Sequence, residues 1–169
     1  MATTSKPTVR ISLPSDRELR MTRTFNAPRS MVFDALTKPD LLKRWFGPPP
    51  ENGWTITQCE SDPRASGAWR IALQRGPDTQ IILHGVYREF VRPDRIVATQ
   101  TAEGCGGQGD SEAVVTTTLT ETGGITTFIH TVTYSSQQVR DNVLKSGGTT
   151  EQSMSAIYHK LATLLESLS

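Results

Sequence analysis

Apolar and polar residues alternate twice near the start of the chain, first at Val9, Ile11 and Leu13, then through Leu19, Met21, Arg23 and Phe25. A period of two marks a strand with one covered face, so the segment predicts a strand broken at Pro14-Ser15-Asp16. The period then lengthens. Asn26-Ala27-Pro28 starts a helix in which proline sits near the first position, where its missing N–H costs nothing, and Met31, Val32, Phe33 and Leu36 form one apolar stripe. A second short helix is predicted from Pro39, carrying Leu41, Leu42 and Trp45. The run Phe46-Gly47-Pro48-Pro49-Pro50 ends it, because prolines cannot continue an amide ladder.

A long strand-rich stretch follows, with strands predicted over 54–60, 67–74, 81–91, 95–101, 113–121 and 125–134. The connections carry turn residues such as Gly76-Pro77-Asp78, Arg92-Pro93-Asp94 and Gly123-Gly124, and they are too short for parallel crossovers, so the sheet reads as an antiparallel meander. Two helices close the chain. Ser135 and Ser136 offer an N-cap to the first, which stops after Lys145 at Gly147 or Gly148. The second is the clearest element in the sequence: Thr149 to Gln152 suggests a capping box, and Met154, Ile157, Tyr158, Leu161, Leu164, Leu165 and Leu168 share one face. A curved sheet with one uncovered face needs such a helix. The predicted class is α+β, with about six or seven antiparallel strands wrapped around a long C-terminal helix and two short helices after the first strand.

With 169 residues, 36% of them hydrophobic, the chain supports one core, so a single domain is expected over 9–169 behind a flexible extension at 1–8. The 18 basic and 17 acidic residues leave a net charge of +1, which disfavours nucleic acid as a partner. The first residues lack the apolar core of a signal peptide and no run approaches the length of a membrane span, so a cytoplasmic protein is expected. Cys59 and Cys105 lie far apart with no histidine or cysteine at ligand spacing, which points to neither a disulfide framework nor a metal. No cofactor is indicated. The one string of the GxGxxG type, 104–109, leads into a strand rather than a helix, so it is expected to be a hairpin loop and not a dinucleotide site.

Distributed motifs then match a known pattern. The runs from Arg17 to Pro28, Val32-Phe33-Asp34-Ala35 and Pro39 to Pro48 resemble the N-terminal signature of the START-like superfamily, also called SRPBCC, helix-grip or Bet v-like. Asp62-Pro63-Arg64 before Gly67-Ala68-Trp69-Arg70, Gly85-Val86-Tyr87-Arg88-Glu89 before Pro93-Asp94-Arg95-Ile96, and the closing helix pair make the chain more closely similar to the family of heat shock protein 90 ATPase activator homologues. The likeness spans roughly 9–167 and departs from the pattern at Trp45-Phe46, Ser66-Gly67 and Val97-Ala98-Thr99-Gln100, the last giving a smaller and more polar wall. The resemblance implies a deep cavity between sheet and C-terminal helix. Superfamily members hold lipids, hormones or polyketides there, and a few catalyse cyclisation. The separate N-terminal domain by which eukaryotic activators contact the chaperone finds no counterpart in the residues read as one domain.

On this reading a small hydrophobic or amphipathic molecule is the expected partner, and a homodimer is compatible with the sequence. Trp69 and Ile71, on an inward face, and Met154 with Tyr158 are the firmest wall candidates, joined by Phe33, Trp45, Trp54 and Tyr87, although aromatic rings on apolar faces are more often plain core. His84 and His130 lie in strands whose two faces are equally plausible as the covered one; a histidine turned inward could orient a carbonyl or act as a base. Gln100 is the polar partner either could use. An enzyme of cyclase, aromatase or hydrolase type is therefore the first alternative, and a chaperone-interaction domain the second. The catalytic residues of such an enzyme are not legible, since no GxSxG string or carboxylate pair is present.

Overall fold

The computed structural model describes residues 8–48, 50–104, 112–147 and 149–169. The expected N-terminal extension lies outside them except for Thr8, which is exposed, and the glycine-rich loop lies outside them except for Gly104.

Eight strands form one sheet: β1 (Arg10–Ser12), β2 (Glu18–Phe25), β3 (Thr55–Ser61), β4 (Ala68–Arg75), β5 (Thr79–Val91), β6 (Arg95–Glu103), β7 (Ala113–Thr122) and β8 (Ile125–Thr133). The spatial order is β1-β2-β8-β7-β6-β5-β4-β3, so β3 to β8 form the expected meander and β2 joins it beside β8. The broken first strand is a hairpin, with Ile11 opposite Met21. The helices are α1 (Arg29–Thr37), α2 (Pro39–Leu42), α3 (Gln137–Lys145) and α4 (Glu151–Leu168), and the fold is the helix grip that the pattern predicts.

Local chemistry explains the boundaries. Pro28 is the N-cap of α1 rather than its first residue. Thr37 returns its hydroxyl to the Phe33 carbonyl at 2.9 Å, and Pro39 opens α2 because the helix cannot run through it. Trp45 lies one turn beyond α2, and its indole N–H donates to the Ala35 carbonyl at 2.8 Å, locking the two short helices together. Ser136 caps α3 by accepting from the Val139 N–H. The cap of α4 sits one residue later than expected, at Thr150 and Ser153; the Ser153 hydroxyl accepts from the Thr150 N–H in the place where the usual signature has glutamate or glutamine.

The register fixes the faces. Leu19, Met21, Arg23 and Phe25 on β2 oppose Val132, His130, Phe128 and Thr126 on β8, and these inward positions continue as Val115, Thr117 and Leu119 on β7. Leu161, fully buried, with Tyr158, Leu164 and Leu165 presses α4 into this curve. Rings carry the contact: Trp45 and Phe128 flank Tyr158 at centroid distances of 5.5 and 5.1 Å, and Phe25 meets Phe128 edge-on at 5.9 Å. The sheet's open edge is satisfied by the helix as well, since the Val9 and Ile11 amides donate to Ser155 and Glu151 of α4 at 3.0 and 2.8 Å.

Candidate functional site

At one end of the curve the inner face is only half covered. Trp69 on β4 is paired with Gly85 on β5, Ile71 with Leu83, and Leu83 with Ala102 on β6, so all of these point inward. Ile71 is buried, whereas Trp69, Ile81, Leu83, Gln100 and Ala102 remain half-buried. Across from the sheet, Met154 and Ile157 on the first turns of α4 are likewise half-buried against the core. Apolar side chains are thus left partly open both on this sheet face and on the start of α4. Beside it, Pro48, Trp54, Arg75, Ala156 and Ile157 line a cleft of about 560 Å³ between the loop after α2 and the start of α4. The Arg75 guanidinium lies 4.9 Å above the Trp54 ring.

The wall is tied at a seam. The β5–β6 ladder is interrupted between His84–Thr101 and Tyr87–Ala98. Across the gap the Trp69 indole donates to the Thr99 carbonyl at 3.2 Å, and the Val86 amide donates to the Thr99 hydroxyl at 2.9 Å.

The two strand histidines part company. His130 points inward, stacked on Phe128 at 5.6 Å and hydrogen-bonded through Nδ1 to the Thr117 hydroxyl at 2.9 Å. It is half-buried on this inner face. His84 points outward, opposite Arg70 and Thr101, with Nε2 3.4 Å from a Glu103 carboxylate oxygen, and it helps line a cleft of about 440 Å³ on the outer face. It does not join the inner wall. Phe33, Trp45 and Tyr158 are buried members of the core, with Phe33 held edge-on against Phe90 at 5.1 Å. Tyr87 is buried too; its hydroxyl shares a 2.8 Å hydrogen bond with Ser61, and burial pushes its pKa up. Of the candidates, Trp69 and Gln100 are half-buried on the inner face of β4–β6 and Met154 is half-buried on α4, while Ile71 is buried, His130 is half-buried on β8 and Trp54 lines the neighbouring cleft.

One further inward group is charged. Arg23 is 5% exposed and its guanidinium lies 4.7 Å from the Phe25 ring centroid; Nε donates to the Thr24 carbonyl at 3.3 Å, while Nη1 meets no acceptor among the described residues. Burial pulls its pKa down. The signal was present in the alternation, which carries Arg23 in phase with Leu19, Met21 and Phe25.

Burial also pulls the His130 imidazole from 6.5 to about 4, so the ring is neutral at pH 7. An unfolded chain would take up the proton nearer pH 6.5, so between the two values the unfolded state binds more protons and stability falls as the pH drops. This loss is absent above pH 6.5 and reaches about 3 kcal/mol near pH 4. The urea midpoint of the wild-type protein is expected to fall between pH 7.5 and pH 5, and His130→Gln should flatten that fall; the same fall in both proteins would show that His130 is not held neutral.

No group of three or more metal-ligating side chains forms among the described residues, and no described helix is long and apolar enough to cross a membrane. Residues 26–166 match the family described as "Activator of Hsp90 ATPase homolog 1-like protein". The chain belongs to that family. Among solved structures, a Rhodobacter sphaeroides protein is 26% identical, with a TM-score of 0.84 over 95% of this chain and 99% of its own. Protein Ms6760 from Mycobacterium smegmatis is 20% identical, with a TM-score of 0.76 over 96% and 100%. A Staphylococcus epidermidis protein is 24% identical, with a TM-score of 0.75 over 94% of each chain. The last two likenesses speak for the fold alone. Among curated proteins the chain has no match. The family match agrees with the START-like reading of the motifs.

Proposed function

We propose that the protein binds a small hydrophobic or amphipathic molecule between the half-open inner face of β4–β6 and the first turns of α4. The observation that carries this reading is the set of apolar side chains left half-covered on facing walls: Trp69, Ile81 and Leu83 on the sheet, Met154 and Ile157 on the helix. Burying such surface under a ligand contributes roughly 25 cal/mol per Å². Gln100 on the same face and His130 deeper in the curve supply the polar contacts that would orient it. Met154 gives the wall adaptability, since its unbranched thioether repacks around differing shapes.

Nile red, a neutral apolar dye, tests the site. Wild-type protein is expected to bind it with a rise in fluorescence, and Met154→Trp, which fills the space from the helix side, should weaken binding at least ten-fold with little change in melting temperature. Equal affinity in the two proteins would remove Met154 from the wall, and absence of saturable binding would end the reading. Native mass spectrometry of freshly purified protein, followed by denaturation, would identify any molecule retained from the cell.

A further inference from the structure

Three clefts run end to end along one side of α4. The cleft of about 560 Å³ at Trp54 and Ile157 shares Pro48 and Trp54 with a second of about 560 Å³, which shares Arg44 and Lys160 with a third of about 410 Å³. Their charged and titratable lining residues are Lys43, Arg44, Cys59, Arg75, His159 and Lys160, and among the described residues no aspartate or glutamate lines any of the three. In a chain with 18 basic and 17 acidic residues, this one-sided lining is a local separation of charge. Acidic groups touch it only from outside. Asp40 lies 3.4 Å from Lys43 but is almost fully exposed, and Glu51 acts on Lys160 at longer range. Arg44 has no ion pair among the described residues. Lys160 is half-buried, with Nζ donating to the Pro48 carbonyl at 3.1 Å, which leaves two of its three protons for another acceptor. Between these cations the second cleft is lined by Phe46, Trp54 and Ile56 together with Thr55, Thr57 and Gln58.

We infer that this groove holds the oxyanion head group of an amphipathic ligand, with Arg44 and Lys160 on the head and Trp54, Pro48 and Ile157 on the apolar part. The inference rests on the small-molecule reading above and narrows its ligand to an anion. Lys160 is half-buried and Arg44 exposed, so an oxyanion placed between them gains a cation from each while its apolar portion covers Trp54 and Ile157. Arg44 offers a planar fork and Lys160 a point charge, a pairing that suits a phosphate or carboxylate.

Octyl phosphate, octanol and inorganic phosphate, each titrated calorimetrically below any micellar concentration, test it. Octyl phosphate is expected to bind at least ten-fold tighter than octanol, and that advantage should shrink several-fold between 0.05 and 0.5 M KCl while octanol binding holds. The double variant Arg44→Gln/Lys160→Gln should bring the two ligands to within about two-fold of each other without changing Nile red affinity. Equal binding of octyl phosphate and octanol by the wild-type protein would overturn the inference while leaving the apolar site standing. Inorganic phosphate binding as tightly as octyl phosphate would overturn it in favour of a plain phosphate site. If the double variant fails to fold, the wild-type ratio and its salt dependence decide the matter alone. Loss of Nile red binding as well would count against the underlying site rather than the head group.

Discussion

Leu161→Asp is expected to unfold the protein or lower its melting temperature by well over 10 °C. Leu161 has no exposed surface and sits midway along the face of α4 that also carries Tyr158, Leu164 and Leu165. Removing the leucine forfeits about 2 to 3 kcal/mol of transfer free energy, before any term for the cavity left behind. Placing a carboxylate there adds a desolvation cost that its own protonation only limits, so the total exceeds about 5 kcal/mol. That is comparable with the whole stability of an ordinary domain. Circular dichroism melts of the variant beside Leu161→Met, which conserves volume and should cost less than about 1.5 kcal/mol, separate charge burial from packing loss. A wild-type melting temperature for Leu161→Asp would mean that α4 is not docked through this face.

Much of the fold is readable because its periodic elements are long and its breaks are chemically sharp. The α4 stripe, the proline runs after Trp45 and the short polar connections between strands each leave few alternatives. Where the expectation slips, the physics is local. Pro28 sits at the cap and not inside the helix, since its extended ψ of 147° is a cap conformation. The α4 capping box uses a serine hydroxyl at the third position, and a rule that looks for glutamate or glutamine slides the cap back by one residue.

The site was less legible, because alternation within a strand gives two faces without saying which is inward. For His84 and His130 the answer comes from pairing partners distant in sequence. His130 lies opposite Met21 and Thr117 and stacks on the fully buried Phe128, whereas His84 lies opposite Arg70 and Thr101. The aromatic candidates divide by neighbours as well: Trp45 spends its N–H on Ala35 in the core, while Trp69 spends its own on the seam at Thr99. The basic groove has no linear signal, since Arg44 and Lys160 are brought together only when α4 docks beside the loop after α2.

That seam carries the second large effect. Gly85 has an ordinary strand backbone, so its lack of a side chain matters for space and not for conformation. A methyl at this position would overlap the Thr99 carbonyl oxygen, come within 2.6 Å of its carbon and within 2.9 Å of the Trp69 indole nitrogen. Two of these three atoms are backbone, so no rotamer change relieves the clash, and β6 must move away from β5. Moving it breaks the Trp69 donation to the Thr99 carbonyl and the Val86 donation to the Thr99 hydroxyl, each worth about 1 kcal/mol. Gly85→Ala is therefore expected to cost at least about 3 kcal/mol, beyond what its modest added volume would suggest. Because Trp69 and Gln100 belong to the same wall, the variant should also weaken Nile red binding under conditions where it stays folded, and shift the tryptophan emission. Wild-type stability with unchanged emission would mean that the strands do not close over Gly85, and the half-open inner face would then need a different support.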